Sequence, residues 1–70
     1  MTGPRRFEVV AWASERRLVL YVPAIEAATS VLDLRDADDA ARELIAELTG
    51  IDATVIECDI QLGRPGRPVP

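Results

Sequence analysis

A chain of 70 residues with a formal net charge of −4 makes one small domain with a limited core. No apolar run approaches the roughly 20 residues that span a bilayer, and the start lacks the long apolar stretch of a secretory leader, so the sequence predicts a soluble, cytoplasmic protein with no membrane contact. Histidine, the commonest general base and metal ligand near neutral pH, does not occur; one cysteine rules out an internal disulfide; and the acidic balance disfavours broad nucleic-acid binding, which relies on cations to neutralise phosphates.

In chain order, Met1–Pro4 reads as a loose start. Phe7–Ala13 is rich in aromatic and β-branched residues and reads as a first strand. Its alternation puts Phe7, Val9, Ala11 and Ala13 on one face and Glu8, Val10 and Trp12 on the other. Ser14–Arg16 suits a hairpin turn. Arg17–Val22 is a second strand, with Leu18, Leu20 and Val22 opposite Val19 and Tyr21, and Pro23 ends it. Ala24–Ala28 is a connection of open shape. Thr29–Leu34 is expected as a third strand, Leu32 and Leu34 pointing one way, Val31 and Asp33 the other.

Asp36–Gly50 reads as one capped amphipathic helix. Asp36 is the expected N-cap, with Asp39 three residues on imitating a capping box. Asp38 and Asp39 sit where the helix dipole favours negative charge. Ala37, Ala40, Ala41, Leu44, Ile45 and Leu48 follow a helical stripe, Arg42, Glu43 and Glu47 face water, and Gly50 suits the left-handed stop. Asp52–Leu62 alternates strictly, setting Ile56, Cys58, Ile60 and Leu62 against Glu57, Asp59 and Gln61. Residues 63–70, rich in glycine, proline and arginine, read as a disordered tail after a domain of residues 1–62.

The order β-β-β-α-β predicts an α+β fold: an antiparallel meander, a helix over one face, and a returning strand, with spatial order 3-2-1-4. One helix covers one face of a sheet. Phe7, Val9, Leu18, Leu20, Leu32, Leu34, Ile56, Cys58 and Ile60 are the residues expected beneath it. The opposite face, expected to be solvated, is assigned Val10, Trp12, Val19, Tyr21 and Val31. Aromatic residues with a polar handle are enriched at interfaces, so this patch is expected to meet a protein partner or a second copy in a homodimer.

Nothing in the chain assembles chemistry. Cys58, on an inward strand position, reads as a small buried hydrophobe. Asp36, Asp38 and Asp39 are accounted for by the helix start, and the loop lacks calcium-loop spacing. Glu57 and Asp59 share a solvated face. Ser14 and Ser30 have no histidine to activate them, and no glycine-rich loop precedes the helix. The expectation is a non-enzyme with no cofactor and no metal. An alternative is a nucleic-acid accessory protein that touches phosphates with Arg5, Arg6, Arg64 and Arg67, provided that the termini lie together.

The order of elements, with Leu20–Pro23, then Thr29–Leu34, then the helix Asp36–Leu48, resembles the HicB family of antitoxins. A strand ending near a Tyr and Pro pair, a strand containing Thr or Ser, and a helix rich in Glu, Ala and Leu are the pattern; Gly50–Ile51 and Val55–Ile60 are similar to the ending of its short stand-alone members. The resemblance spans Phe7 to Leu62 and rests on composition and spacing. It implies a partial ribonuclease-H-like fold and a binding role: occlusion of a small HicA-like toxin that cleaves RNA. The chain departs from the family in Ala24–Ala28, which stands where a Gly-rich hairpin and a Pro-Gly-Cys-like stretch would be. It also departs after Leu62, where no DNA-binding segment is expected. The sheet face is then left to mediate dimerisation.

Overall fold

The first two strands pair because each alternates in the same phase about a tight turn. A computed structural model describes residues 5–63 and places β1 at Arg5–Ser14 and β2 at Arg17–Val22. They run antiparallel, with Ser14 opposite Arg17, Trp12 opposite Val19 and Val10 opposite Tyr21. Glu15 makes the turn with a left-handed backbone, φ 52°.

After β2, Pro23–Ile25 forms a single 3-10 turn and Glu26, at φ 51°, reverses the chain, its N–H donating to the Pro23 carbonyl at 3.2 Å. β3 therefore begins at Ala27 and ends at Val31, pairing antiparallel with β2 from Val22–Ala27 to Leu18–Val31. β3 thus differs from the expected strand Thr29–Leu34 at both ends. The compact turn starts β3 early, and beyond Val31 it has no partner, because β2 turns back toward β1 at Arg17. Leu32 and Leu34, expected in the core, are 74% and 58% exposed.

A second 3-10 turn, Leu34–Asp36, leads into the helix α1 at Ala37–Thr49. The expected N-cap, Asp36, has helical angles and makes no side-chain cap. The capping side chain is Asp33, which accepts from the Arg35 N–H at 3.0 Å, because the 3-10 turn moves the first unsatisfied amides three residues upstream. Asp38 and Asp39 do lie in the first helical turn. At the other end Gly50 adopts φ 77° and its N–H donates to the Ala46 carbonyl at 2.9 Å, the expected left-handed stop.

β4 runs Ile56–Leu62, shorter than the expected Asp52–Leu62, because the Asp52 side chain accepts from the Thr54 N–H at 2.9 Å and holds Ala53–Val55 as a 3-10 turn. β4 lies parallel to β1, from Arg5–Ile56 to Ala11–Leu62. The mixed four-stranded sheet has order β3-β2-β1-β4, so α1 carries the chain from one edge to the other.

The core is the layer between α1 and one sheet face. Phe7, Val9 and Ala11 of β1, Leu20 and Val22 of β2 and Ile56 of β4 meet Ala37, Ala41 and Ile45 of α1, all buried. Each large aliphatic side chain buried there contributes about 1.5–3 kcal/mol. The alanines at 37 and 41 let the helix approach the sheet closely. Leu44 and Ala40 add partial cover, whereas Leu48 and Leu62, assigned to the apolar sides, are exposed. The expected loose start at Met1–Pro4 lies outside the described residues, as does the expected tail beyond Gly63.

Candidate interaction face

The pairing registers decide which side chains share the uncovered face of the sheet. On β1 and β2 these are Val10 and Trp12 with Tyr21 and Val19, as cross-strand partners. Ala28 lies beside Tyr21 and Ser30 beside Val19 on β3. On the β4 side, Gln61 stands beside Val10, Asp59 beside Glu8 and Glu57 beside Arg6. The face thus divides in two. Val10, Trp12, Val19 and Tyr21 make an apolar half across β1 and β2, each half-buried although no helix lies over it. Glu8, Glu57 and Asp59, with the single cation Arg6, make an acidic half across β1 and β4.

Four of the five expected interface residues are brought together on this face. Val31 is not among them. It pairs with Leu18 and packs against the core on the helix side. The cause is the register: Leu32 and Leu34, which set the expected phase, lie past the end of β3, and its pairing with β2 puts residues 28 and 30, rather than 29 and 31, in phase with Tyr21 and Val19. Trp12 and Tyr21 are diagonal neighbours on adjacent strands, within reach of aromatic side chains. At the hairpin end, Arg17 Nε donates to Ser30 Oγ at 2.9 Å and ties β2 to β3 across this face.

The arginines proposed for phosphates do not form one site among the described residues. Arg5 and Arg6 start β1 beside Ile56 and Glu57, while the chain leaves β4 at Gly63, whose N–H donates to the Ala11 carbonyl at 2.8 Å at the far end of the parallel pair. Six residues of strand, roughly 20 Å, separate those ends. Arg6 also faces Glu57 at 3.9 Å, among further acids. Arg64 and Arg67 lie outside the described residues.

Cys58 is half-buried on the helix side. Burial pushes its thiol above the ordinary range, the Asp38 carboxylate adds to the rise, and the Arg42 guanidinium partly opposes it. Asp38 and Arg42 form an ion pair one helical turn apart. Asp33 and Asp52 are held below the ordinary carboxylate range, chiefly by the backbone N–H of Arg35 and of Thr54 respectively. Among the described residues no group of three His, Cys, Asp or Glu side chains stands where it would hold a metal, and no helix is long and apolar enough to cross a membrane.

Sequence reasoning missed an open apolar cleft of about 590 Å³ at the hairpin end, lined by Trp12, Ala13, Leu18, Leu34 and Leu62. The sequence alternation places Leu34 and Leu62 on inward-facing sides. The available signal was Asp33, whose side chain can cap a turn and so end the strand before Leu34.

Fold and face together define a small α+β domain with a mixed sheet, helix-covered on one side and half apolar, half acidic on the other. Comparison with protein-family models, with curated proteins and with solved structures gave no match.

Proposed function

We propose that this chain is a non-catalytic protein-interaction module of HicB-like, antitoxin-like type, and that it holds a protein partner on the uncovered sheet face. The observation that carries the reading is the set Val10, Trp12, Val19 and Tyr21: four apolar side chains grouped by register on a face with no helix over it. In a domain this small such a group is more than strand stability requires, and a half-buried tryptophan diagonal to a tyrosine is the composition of a binding centre rather than of a solvated sheet. The acidic half gives the face a preference for a basic partner, which agrees with a small HicA-like toxin. The resemblance in Leu20–Pro23 and Asp36–Leu48 supports the same direction, as does a chain without histidine and with a single cysteine, which leaves few groups for acid–base or nucleophilic work.

The test is recovery of the tagged chain from its native host, beside a Trp12→Asp variant. A small basic protein recovered in near-equal amount with the wild type and lost with the variant supports the reading, and that protein's ribonuclease activity is then assayed with and without this chain. Recovery of the chain alone, or equal capture by both forms, overturns it.

A further inference from the structure

The two edges of the sheet differ in a way that bears on self-association. β4 carries Glu57 and Asp59, so an antiparallel seam between two β4 strands would bring like charges together. β3, the opposite outermost strand, carries no charge, no proline and no bulge along Ala27–Val31, and two of its five residues are the β-branched Thr29 and Val31. Among the described residues nothing pairs with its outer backbone groups. Native edge strands are ordinarily guarded by a charge or a proline, because unpaired N–H and C=O groups template another strand.

We infer that β3 is a homodimer edge: two copies of this chain join β3 to β3 antiparallel, about a two-fold axis at Thr29, and make one eight-stranded sheet. That register pairs all five residues, sets Thr29 against its own copy and Ala28 against Ser30 of the other copy, and continues the uncovered face across both copies. It also brings Leu32, 74% exposed just beyond the strand, toward the Pro23–Ile25 turn of the other copy. A seam of five residues falls well short of the roughly 800 Å² per partner of a standard interface, so the dimer is weak and concentration-dependent. The inference goes beyond the proposed function, since it uses the edge of the sheet and not the Trp12 face.

Sedimentation equilibrium of the full chain across the micromolar range tests it. The wild type is expected to pass from monomer to dimer. Ala28 is exposed, so Ala28→Lys should leave the circular dichroism spectrum unchanged and weaken the dimer about tenfold or more, by guarding the edge and by setting two cations diagonally across the seam. An equal mixture of Ala28→Lys with Ala28→Glu should recover association that neither variant shows alone. Amide exchange on the wild type should slow in Ala27–Val31 as concentration rises, a readout that needs no variant. Trp12→Asp should keep the dimer while losing the partner, which separates failure of this inference from failure of the functional reading. A wild type that stays monomeric throughout, an Ala28→Lys variant that associates like wild type, or a dimer lost in Trp12→Asp but kept in Ala28→Lys overturns it.

Discussion

Trp12 and Val19 stand directly opposite each other on β1 and β2, on the side of the sheet that α1 leaves uncovered. A cross-strand pair of an aromatic with a β-branched residue stabilises a hairpin by about 0.2–1 kcal/mol. Trp12→Asp should therefore cost the fold about 1 kcal/mol or less, read as a small shift in denaturant midpoint. The same change should weaken partner binding by more than tenfold, the scale of a central aromatic anchor. A variant that unfolds would show Trp12 acting in the core and would remove the face as a binding surface.

Val19 and Val31 test which side of the sheet each occupies. Val31→Asp places a carboxylate without a partner on the helix side, beside Leu18, and should destabilise by about 2 kcal/mol or more. Val19→Asp should cost about 1 kcal/mol or less, because its face meets water. Urea midpoints of the two variants decide the matter. The reverse order would mean that β3 is paired one residue out of the register described.

Gly50 ends α1 with φ 77°, and a Cβ built there meets nothing within 4 Å. Gly50→Ala should cost about 1–2 kcal/mol from backbone strain alone. Gly50→Asn should cost less, since asparagine tolerates the left-handed region. Equal losses from both would point to a contact rather than to φ.

Acid stability should depend on Asp33 and Asp52. Both carboxylates are held below their ordinary range by turn N–H groups, so their contribution is present in full above the unfolded value, about 3.9. It is lost as pH falls through the lower native values. Thermal melts of the double variant Asp33→Asn, Asp52→Asn should change less between pH 5 and 2 than those of wild type, measured at steps of about one pH unit. Wild-type melts with an unchanged slope would leave these two groups without a role in acid stability.

Cys58 should alkylate slowly in the native protein. Burial raises its pKa, so less thiolate is present at a given pH than in the unfolded chain, and the thiolate is the reacting form. Reaction with iodoacetamide near pH 8 should speed up several-fold on adding denaturant. A native rate equal to the unfolded one would show an accessible thiol with ordinary acidity.

The helix was legible because its signals agree. A stripe of alanine, leucine and isoleucine, two acids in the first turn and a terminal glycine all point to one segment. β2 was legible over its whole length because proline closes it. The candidate face was legible in four residues, since Val10, Trp12, Val19 and Tyr21 lie on long alternating strands whose phase is read locally. β3 was not. Ala24–Ala28 has no strong turn signal, and Leu32 and Leu34 continue an apparent alternation past the true end of the strand. Strand phase has a period of two, so a phase taken from Leu32 and Leu34, which lie outside the strand, turns the whole strand over, and Val31 changed sides with it. The N-cap moved for a related reason. Asp33 and Asp36 are both able to cap, and only the 3-10 turn between them selects the first.

By itself the sequence determined the element order β-β-β-α-β, the sheet order 3-2-1-4, the helix with its left-handed stop, and the scarcity of groups for chemistry. These follow from local periodicity, from residues with restricted backbones and from composition. Tertiary structure alone decided where β3 begins and ends, which of Asp33 and Asp36 caps, and that Leu32, Leu34 and Leu62 meet solvent. It also decided that β3 is left as an uncharged edge opposite an acidic one. The bounds of β3 and the exposure of Leu32 and Leu34 depend on how far a neighbouring strand extends to supply hydrogen bonds, and that extent is set by a partner distant in sequence, not by the residues of the segment itself.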